Sequence, residues 1–187
     1  NSDWQASYDG ALTLNDIIID AQANTLFFLT WGRLHGDATN PDTNPDFLTM
    51  QENLTDGYFA YQAATSTDTR TTWIAPVGFA FADIYFDGVA NKEDPTSPDT
   101  LFAQLYNEDG SHPSAYGTYL AATVFYATIT GKTPIGLALP KQIEKEIGDR
   151  LQVAADAAVF GSTDQISYIW EQTTTTTKPT NETGTIV

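Results

Sequence analysis

An aspartate and a histidine stand three residues apart in Asp109-Gly110-Ser111-His112-Pro113. Glycine and proline bend a chain tightly, and a turn at Gly110 can bring the carboxylate back onto the imidazole while Pro113 starts a helix that anchors the histidine. Imidazole is the side chain whose charge changes near neutrality, and an acidic neighbour sets which ring nitrogen holds the proton. Read by residue type alone, the same five residues form a turn in which Ser111 or Asp109 caps the next helix.

Other residues invite weaker chemical readings. His35, beside Gly36-Asp37, reads as a surface-loop histidine. Asp37, Asp42 and Asp46 gather hard oxygen ligands of the kind that hold Ca²⁺, but their spacing matches no EF-hand, and a solvated acidic loop is the favoured reading. Glu108 beside Asp109 adds little to a metal reading, so no metal or cofactor is assigned. The chain has no cysteine, which closes disulfide, thiolate-metal and cysteine-nucleophile chemistry. Asn53-Leu54-Thr55 and Asn181-Glu182-Thr183 are glycosylation sequons, Asn53 on an expected helix and Asn181 in a threonine-rich stretch. Trp4, Trp31, Trp73 and Trp170 could stack on sugars, although indoles in a domain of this size are usually core residues.

The elements that must position these groups follow from the apolar pattern. Leu12 to Ala23 has helical spacing, and Thr25 to Trp31 is a continuous apolar run stopped by Gly32, which predicts a strand buried on both faces. Gly36 to Pro45 is dense in turn formers. A second helix from Asp46 carries Phe47, Met50, Leu54, Tyr58 and Tyr61 on one stripe, and Thr71 to Val77 reads as another buried strand before a helix from Phe79 to Phe86. Leu101 to Tyr106 is a short apolar element leading into the Asp–His turn. A long helix follows from Ser114 to Thr130, ended by Gly131, and a last amphipathic helix runs from Lys141 to Val159. Helix, buried strand, helix, buried strand predicts a parallel sheet.

Composition bounds the partners. Of 187 residues, 41% are hydrophobic and 12% aromatic, enough for one core. There are 24 acidic and 8 basic side chains, and the net charge of −16 opposes nucleic acid and anionic lipid. No apolar run approaches the length of a membrane span, and Asn1-Ser2-Asp3-Trp4 lacks the features of a signal peptide, so any leader is expected to have been removed.

The Asp109-Gly110-Ser111-His112-Pro113 run, followed by a helix ending in Thr130-Gly131-Lys132-Thr133-Pro134-Ile135-Gly136, resembles the last conserved block of the SGNH (GDSL-like) esterase and lipase superfamily. Leu29-Thr30-Trp31-Gly32 and Ala75-Pro76-Val77-Gly78 are similar to the two preceding strands of one branch, and the likeness covers roughly residues 10 to 137. It implies a partial three-layer α/β fold, a parallel sheet of SGNH or flavodoxin-like type flanked by helices. It also implies a triad in which His112 is the general base toward a serine and Asp109 orients and stabilises the imidazole, for hydrolysis of acyl esters, often on carbohydrates. The family's Gly-Asp-Ser nucleophile block and its oxyanion glycine and asparagine have no counterpart. Ser2, Ser7 and Ser111 do not stand in for the nucleophile.

The resulting division is 1–138 as the hydrolase-like C-terminal half, 139–170 as a helical extension and 171–187 as a threonine-rich tail or strand-donating linker. One expectation is a secreted esterase portion, inactive alone, that works with a companion N-terminal segment. It requires a buried imidazole–carboxylate contact and an incomplete sheet with a cleft near Trp31. The other is an extracellular structural subunit that self-assembles through residues 171–187, into a ring or a filament.

Overall fold

The computed structural model describes residues 2–161 and 166–171. They form a mixed α/β chain, mostly helical, around a small parallel sheet. The order is α1 (Ser2–Asp20), β1 (Leu26–Phe28), α2 (Phe47–Thr65), β2 (Trp73–Ala75), α3 (Val77–Ala90), α4 (Leu101–Gln104), α5 (Ala115–Thr130) and α6 (Lys145–Phe160).

Local chemistry sets the helix ends. Asp46 caps α2, its carboxylate accepting the Thr49 amide at 2.8 Å. The Ser114 hydroxyl caps α5 by accepting from the amides of Tyr116 and Gly117, and α5 stops at Gly131, whose φ of 65° is the left-handed conformation that glycine tolerates. Pro76 stands immediately before α3, where its missing N–H costs no helical bond.

β1 and β2 run parallel, with Leu26, Phe27 and Phe28 opposite Trp73, Ile74 and Ala75. Both strands are shorter than the apolar runs that predict them. β2 is wholly buried, whereas β1 is half-buried and Phe28 is exposed. The expectation of two strands buried on both faces therefore holds for β2 and fails for β1, which among the described residues is paired along one edge only. Phe27 turns toward Tyr61 of α2, and Phe28 meets Phe125 of α5 edge-on at 4.9 Å, so apolar residues extend from both faces of β1.

The core forms around β2 and the residues after β1. Leu29, Phe47, Ile74, Phe81, Phe102, Leu105, Leu120, Val124 and Leu151 are buried in one continuous cluster. α6 joins it through Leu151, Ala154, Ala155 and Ala158, packing on α5 and α3 with small side chains that allow close approach. Ile166 and Tyr168 enter the same core. The 139–170 extension thus shares the core of the preceding segment.

Helix boundaries also differ from the pattern-based expectation. α1 begins at Ser2 instead of Leu12, α3 extends beyond Phe79–Phe86 at both ends, and α6 begins at Lys145 instead of Lys141. Residues 172–187, and with them most of the expected tail, lie outside the described residues. No helix among the described residues is long and apolar enough to cross a membrane.

Candidate functional site

The Asp–His turn is fixed at several points. Ahead of it, the short helix α4 ends at Gln104 with Leu105 as its cap, and Tyr106 pairs with Pro113 across the base of the turn. The Asn107 amide donates to the His112 carbonyl at 2.8 Å, and Ser114 donates from its amide to the Leu105 carbonyl at 2.8 Å and from its hydroxyl to the Gln104 carbonyl at 2.6 Å. Gly110 adopts a φ of 63°, and its carbonyl accepts the Leu34 amide at 2.8 Å. The Trp31 indole, stacked on Phe81 with centroids 4.6 Å apart, donates to the Ser111 carbonyl at 3.1 Å. The buried Tyr106 hydroxyl donates to the Gly32 carbonyl at 2.7 Å. The turn is therefore held to the segment that continues β1 at its C-terminal end, the position at which open α/β sheets bind ligands.

Within the turn, Asp109 Oδ2 lies 2.6 Å from His112 Nδ1, while Asp109 Oδ1 accepts the amides of Ser111 and His112, each at 2.9 Å. The contact to His112, helped by the two amides, lowers the Asp109 pKa to about 2. With Nδ1–H donated to this carboxylate, Nε2 carries the lone pair and is the basic position of the ring. Among the described residues Nε2 has no hydrogen-bond partner.

Two expectations about the turn need correction. The Asp109–His112 contact is open to solvent, with side chains 50% and 77% exposed, because the turn is tied down through its backbone and leaves both side chains above the rim. The cap of α5 is neither Ser111 nor Asp109 but Ser114, and Pro113 stands before that cap. Asp109 instead satisfies the amides of its own turn.

A second group supports the platform under the turn. Gln51 is 6% exposed, and its carboxamide oxygen accepts the Gly32 amide at 2.9 Å while its nitrogen donates to the Thr30 carbonyl at 3.3 Å. Gly78 packs so closely that a Cβ there would stand 2.3 Å from Gln51 Nε2 and 2.4 Å from the Thr30 carbonyl oxygen. Sequence reasoning missed Gln51. The available signal was its position four residues after Phe47, which places an amide on the buried face of α2.

The remaining candidates are dispersed. Ser7 lies on α1 with its hydroxyl 2.7 Å from the Tyr61 hydroxyl, Ser2 begins α1, and no serine hydroxyl among the described residues pairs with His112. His35 is exposed. Asp37 is occupied by Arg33, Thr39 and Asn40, which hold its carboxyl below the usual range with Asn40 the largest contributor. Asp46 is the cap of α2, and among the described residues no cluster of three metal-ligating side chains occurs. Asn53 is exposed on α2, donating to the Thr43 carbonyl and to Asn44; Asn181 lies outside the described residues. Of the tryptophans, Trp73 is buried, Trp31 stacks on Phe81, Trp170 stacks on Tyr168, and Trp4, partly exposed, stacks on Tyr61.

No family model matches the chain, and no curated protein matches it. Among solved structures it is similar to a DUF4886 family protein from Bacteroides uniformis, with a TM-score of 0.63 and 16% identity over 88% of this chain and 61% of that one. At this identity the similarity concerns the fold. The chain thus spans about three-fifths of its neighbour's length.

Proposed function

We propose that this chain is the Asp–His-bearing portion of an SGNH-type ester hydrolase, acting on carbohydrate or other small acyl esters, and that the serine nucleophile comes from polypeptide outside it. The observation that carries the reading is the 2.6 Å contact between Asp109 and His112 Nδ1 on a turn tied to the C-terminal end of β1. Such a pair presents Nε2 as a base. A serine hydroxyl brought to it would lose its proton to Nε2 while attacking the acyl carbon, and Asp109 would stabilise the imidazolium that results. The imidazolium would then return the proton to the leaving alkoxide. The exposure of His112 is compatible with a site completed by further chain above the rim.

In this reading the SGNH arrangement is that of a partial three-layer fold, with α2 and α5 on opposite faces of the sheet. The test is hydrolysis of p-nitrophenyl acetate by natively isolated material, with intact mass measured on the same sample and His112→Ala as the control. Activity lost in the variant, together with a nucleophile-bearing segment in the mass spectrum, supports the proposal. Activity indifferent to His112, or a lone chain of 187 residues that turns over the ester, refutes it.

A further inference from the structure

The open edge of β1 carries an inference that is independent of ester chemistry. In the β1–β2 ladder Trp73 donates to the Thr25 carbonyl and Leu29 donates to the Ala75 carbonyl, each at 3.1 Å. Residues 25, 27 and 29 thus turn their backbone groups toward β2, and by alternation Leu26 and Phe28 turn theirs to the other edge. Among the described residues these groups have no hydrogen-bond partner there.

The flanks of that edge are apolar on both faces of the sheet. On the α1 side, a groove of about 400 Å³ is lined by Leu14, Ile18, Leu26 and Phe27, and Leu14 is 62% exposed. On the α5 side stand Phe28, Phe125 and Ile129, the last 58% exposed. A strand with apolar residues on both faces suits such a slot, as in parallel sheets covered by helices on both sides. Two-stranded sheets with open apolar flanks are poorly stable by themselves.

Topology specifies the direction of the missing strand. The crossover from β1 to β2 runs through α2, on the Phe27 face. α1 lies on that same face, packed on α2 through Trp4 and Ser7 against Tyr61, and leads directly into β1. Parallel crossovers share one hand, so successive strands laid down in one direction keep their helices on one face. A helix on this face ahead of β1 is therefore placed as the crossover from a strand on the open side of β1. The solved neighbour, of which this chain covers 61%, contains further chain beyond the shared part.

We infer that the open edge of β1, between α1 and α5, is a docking slot for a parallel, apolar β-strand contributed by polypeptide that leads into α1. Bound there, it would pair with Leu26 and Phe28 and cover Leu14 and Ile18 on one face and Phe125 and Ile129 on the other. The inference does not require the docked chain to carry a nucleophile, and its test reads hydrogen exchange instead of hydrolysis.

The experiment follows single amides of the 187-residue chain by NMR hydrogen exchange, with and without a short valine/isoleucine peptide flanked by lysines. In the chain alone, the Leu26 and Phe28 amides should exchange at least about tenfold faster than those of Phe27 and Leu29, and the peptide should slow them by a similar factor. A spin label at the peptide's N-terminal end should broaden Thr25 more than Leu29, as a parallel arrangement requires. Phe28→Pro removes an outward N–H without touching a bond to β2, and Ile129→Lys charges the exposed flank. Each should abolish the slowing, and the second serves if the first perturbs folding. Slowing that survives both variants, an antiparallel broadening pattern or no effect of the peptide overturns the inference. So does protection that rises with chain concentration alone, which would make a second copy the occupant.

Discussion

Replacing Tyr106 by phenylalanine isolates one bond that holds the Asp–His turn to the end of β1. The ring is 5% exposed and meets Phe81 and Phe102 edge-on at 5.7 and 5.4 Å, contacts that phenylalanine retains. Only the hydroxyl is lost, together with its 2.7 Å bond to the carbonyl of buried Gly32. Leaving a buried carbonyl without its donor costs about 1–3 kcal/mol. For a chain of this length that lowers Tm by roughly 2–12 °C, taking about 2–4 °C per kcal/mol. Urea unfolding followed by far-UV circular dichroism should show an earlier midpoint at unchanged slope. The same variant has an alkaline signature. Burial raises the Tyr106 pKa well above the ordinary tyrosine value of 10.0, so above pH 10 the unfolded chain releases a proton that the folded chain retains, and stability falls as pH rises. Each such group steepens the fall by about 1.4 kcal/mol per pH unit. Tyr106→Phe removes one share, leaving those of Tyr58 and Tyr168, whose pKa values burial also raises, and of Tyr116, raised chiefly by its hydrogen bond to Glu144. A variant within about 0.5 kcal/mol of the parent, with the same alkaline slope, would refute the claim that this hydroxyl secures the turn.

Asp109 should titrate at about 2, read from its carboxyl carbon by NMR, and should move up toward the ordinary carboxylate range in His112→Ala because the histidine is the largest cause of the depression. A lowered folded pKa contributes stability above the ordinary aspartate value of 3.8, and that contribution disappears as pH falls through about 2. An unchanged titration in the variant would show that the amides of Ser111 and His112 suffice. Gly78→Ala should destabilise the fold by roughly 1–3 kcal/mol, since the new methyl would overlap both Gln51 and the Thr30 carbonyl. Chemical unfolding measures it, and a neutral effect would mean that Gln51 moves aside freely.

The parts legible in the sequence are those where period and punctuation agree. Phe47, Leu54 and Tyr58 mark one face of α2, and Gly131 marks the end of α5 through its left-handed backbone. The Asp109–His112 contact joins residues three apart across a turn at Gly110, so the pairing itself is legible within the motif even though distant residues anchor the turn. Exposure is not local, and the open position of His112 depends on which other elements pack near the turn. The same holds for β1: its apolar run predicts burial, but an apolar run does not say how many strands lie beside it, and among the described residues β2 is the one that does. The first half of α1 escaped because Ser2 to Gly10 mixes polar and aromatic residues without a clear period, and its helix is supported instead by Trp4 and Tyr8 packing on Tyr61. Gln51 and Tyr106 escaped because their roles rest on partners 19 and 74 residues away.

The place of Ile166 and Tyr168 in the core, 6% and 3% exposed, bears on how the protein is made. Synthesis delivers the chain from its N-terminal end, and much of what seals the apolar interior arrives late, with α6 and the two residues beyond it. Phe81 and Ile84 of α3 and Leu120 and Val124 of α5 are therefore synthesised before the α6 residues that pack on those helices. Until α6 follows, the apolar faces of α3 and α5 lack that cover, and apolar surface exposed in this way during folding is prone to association.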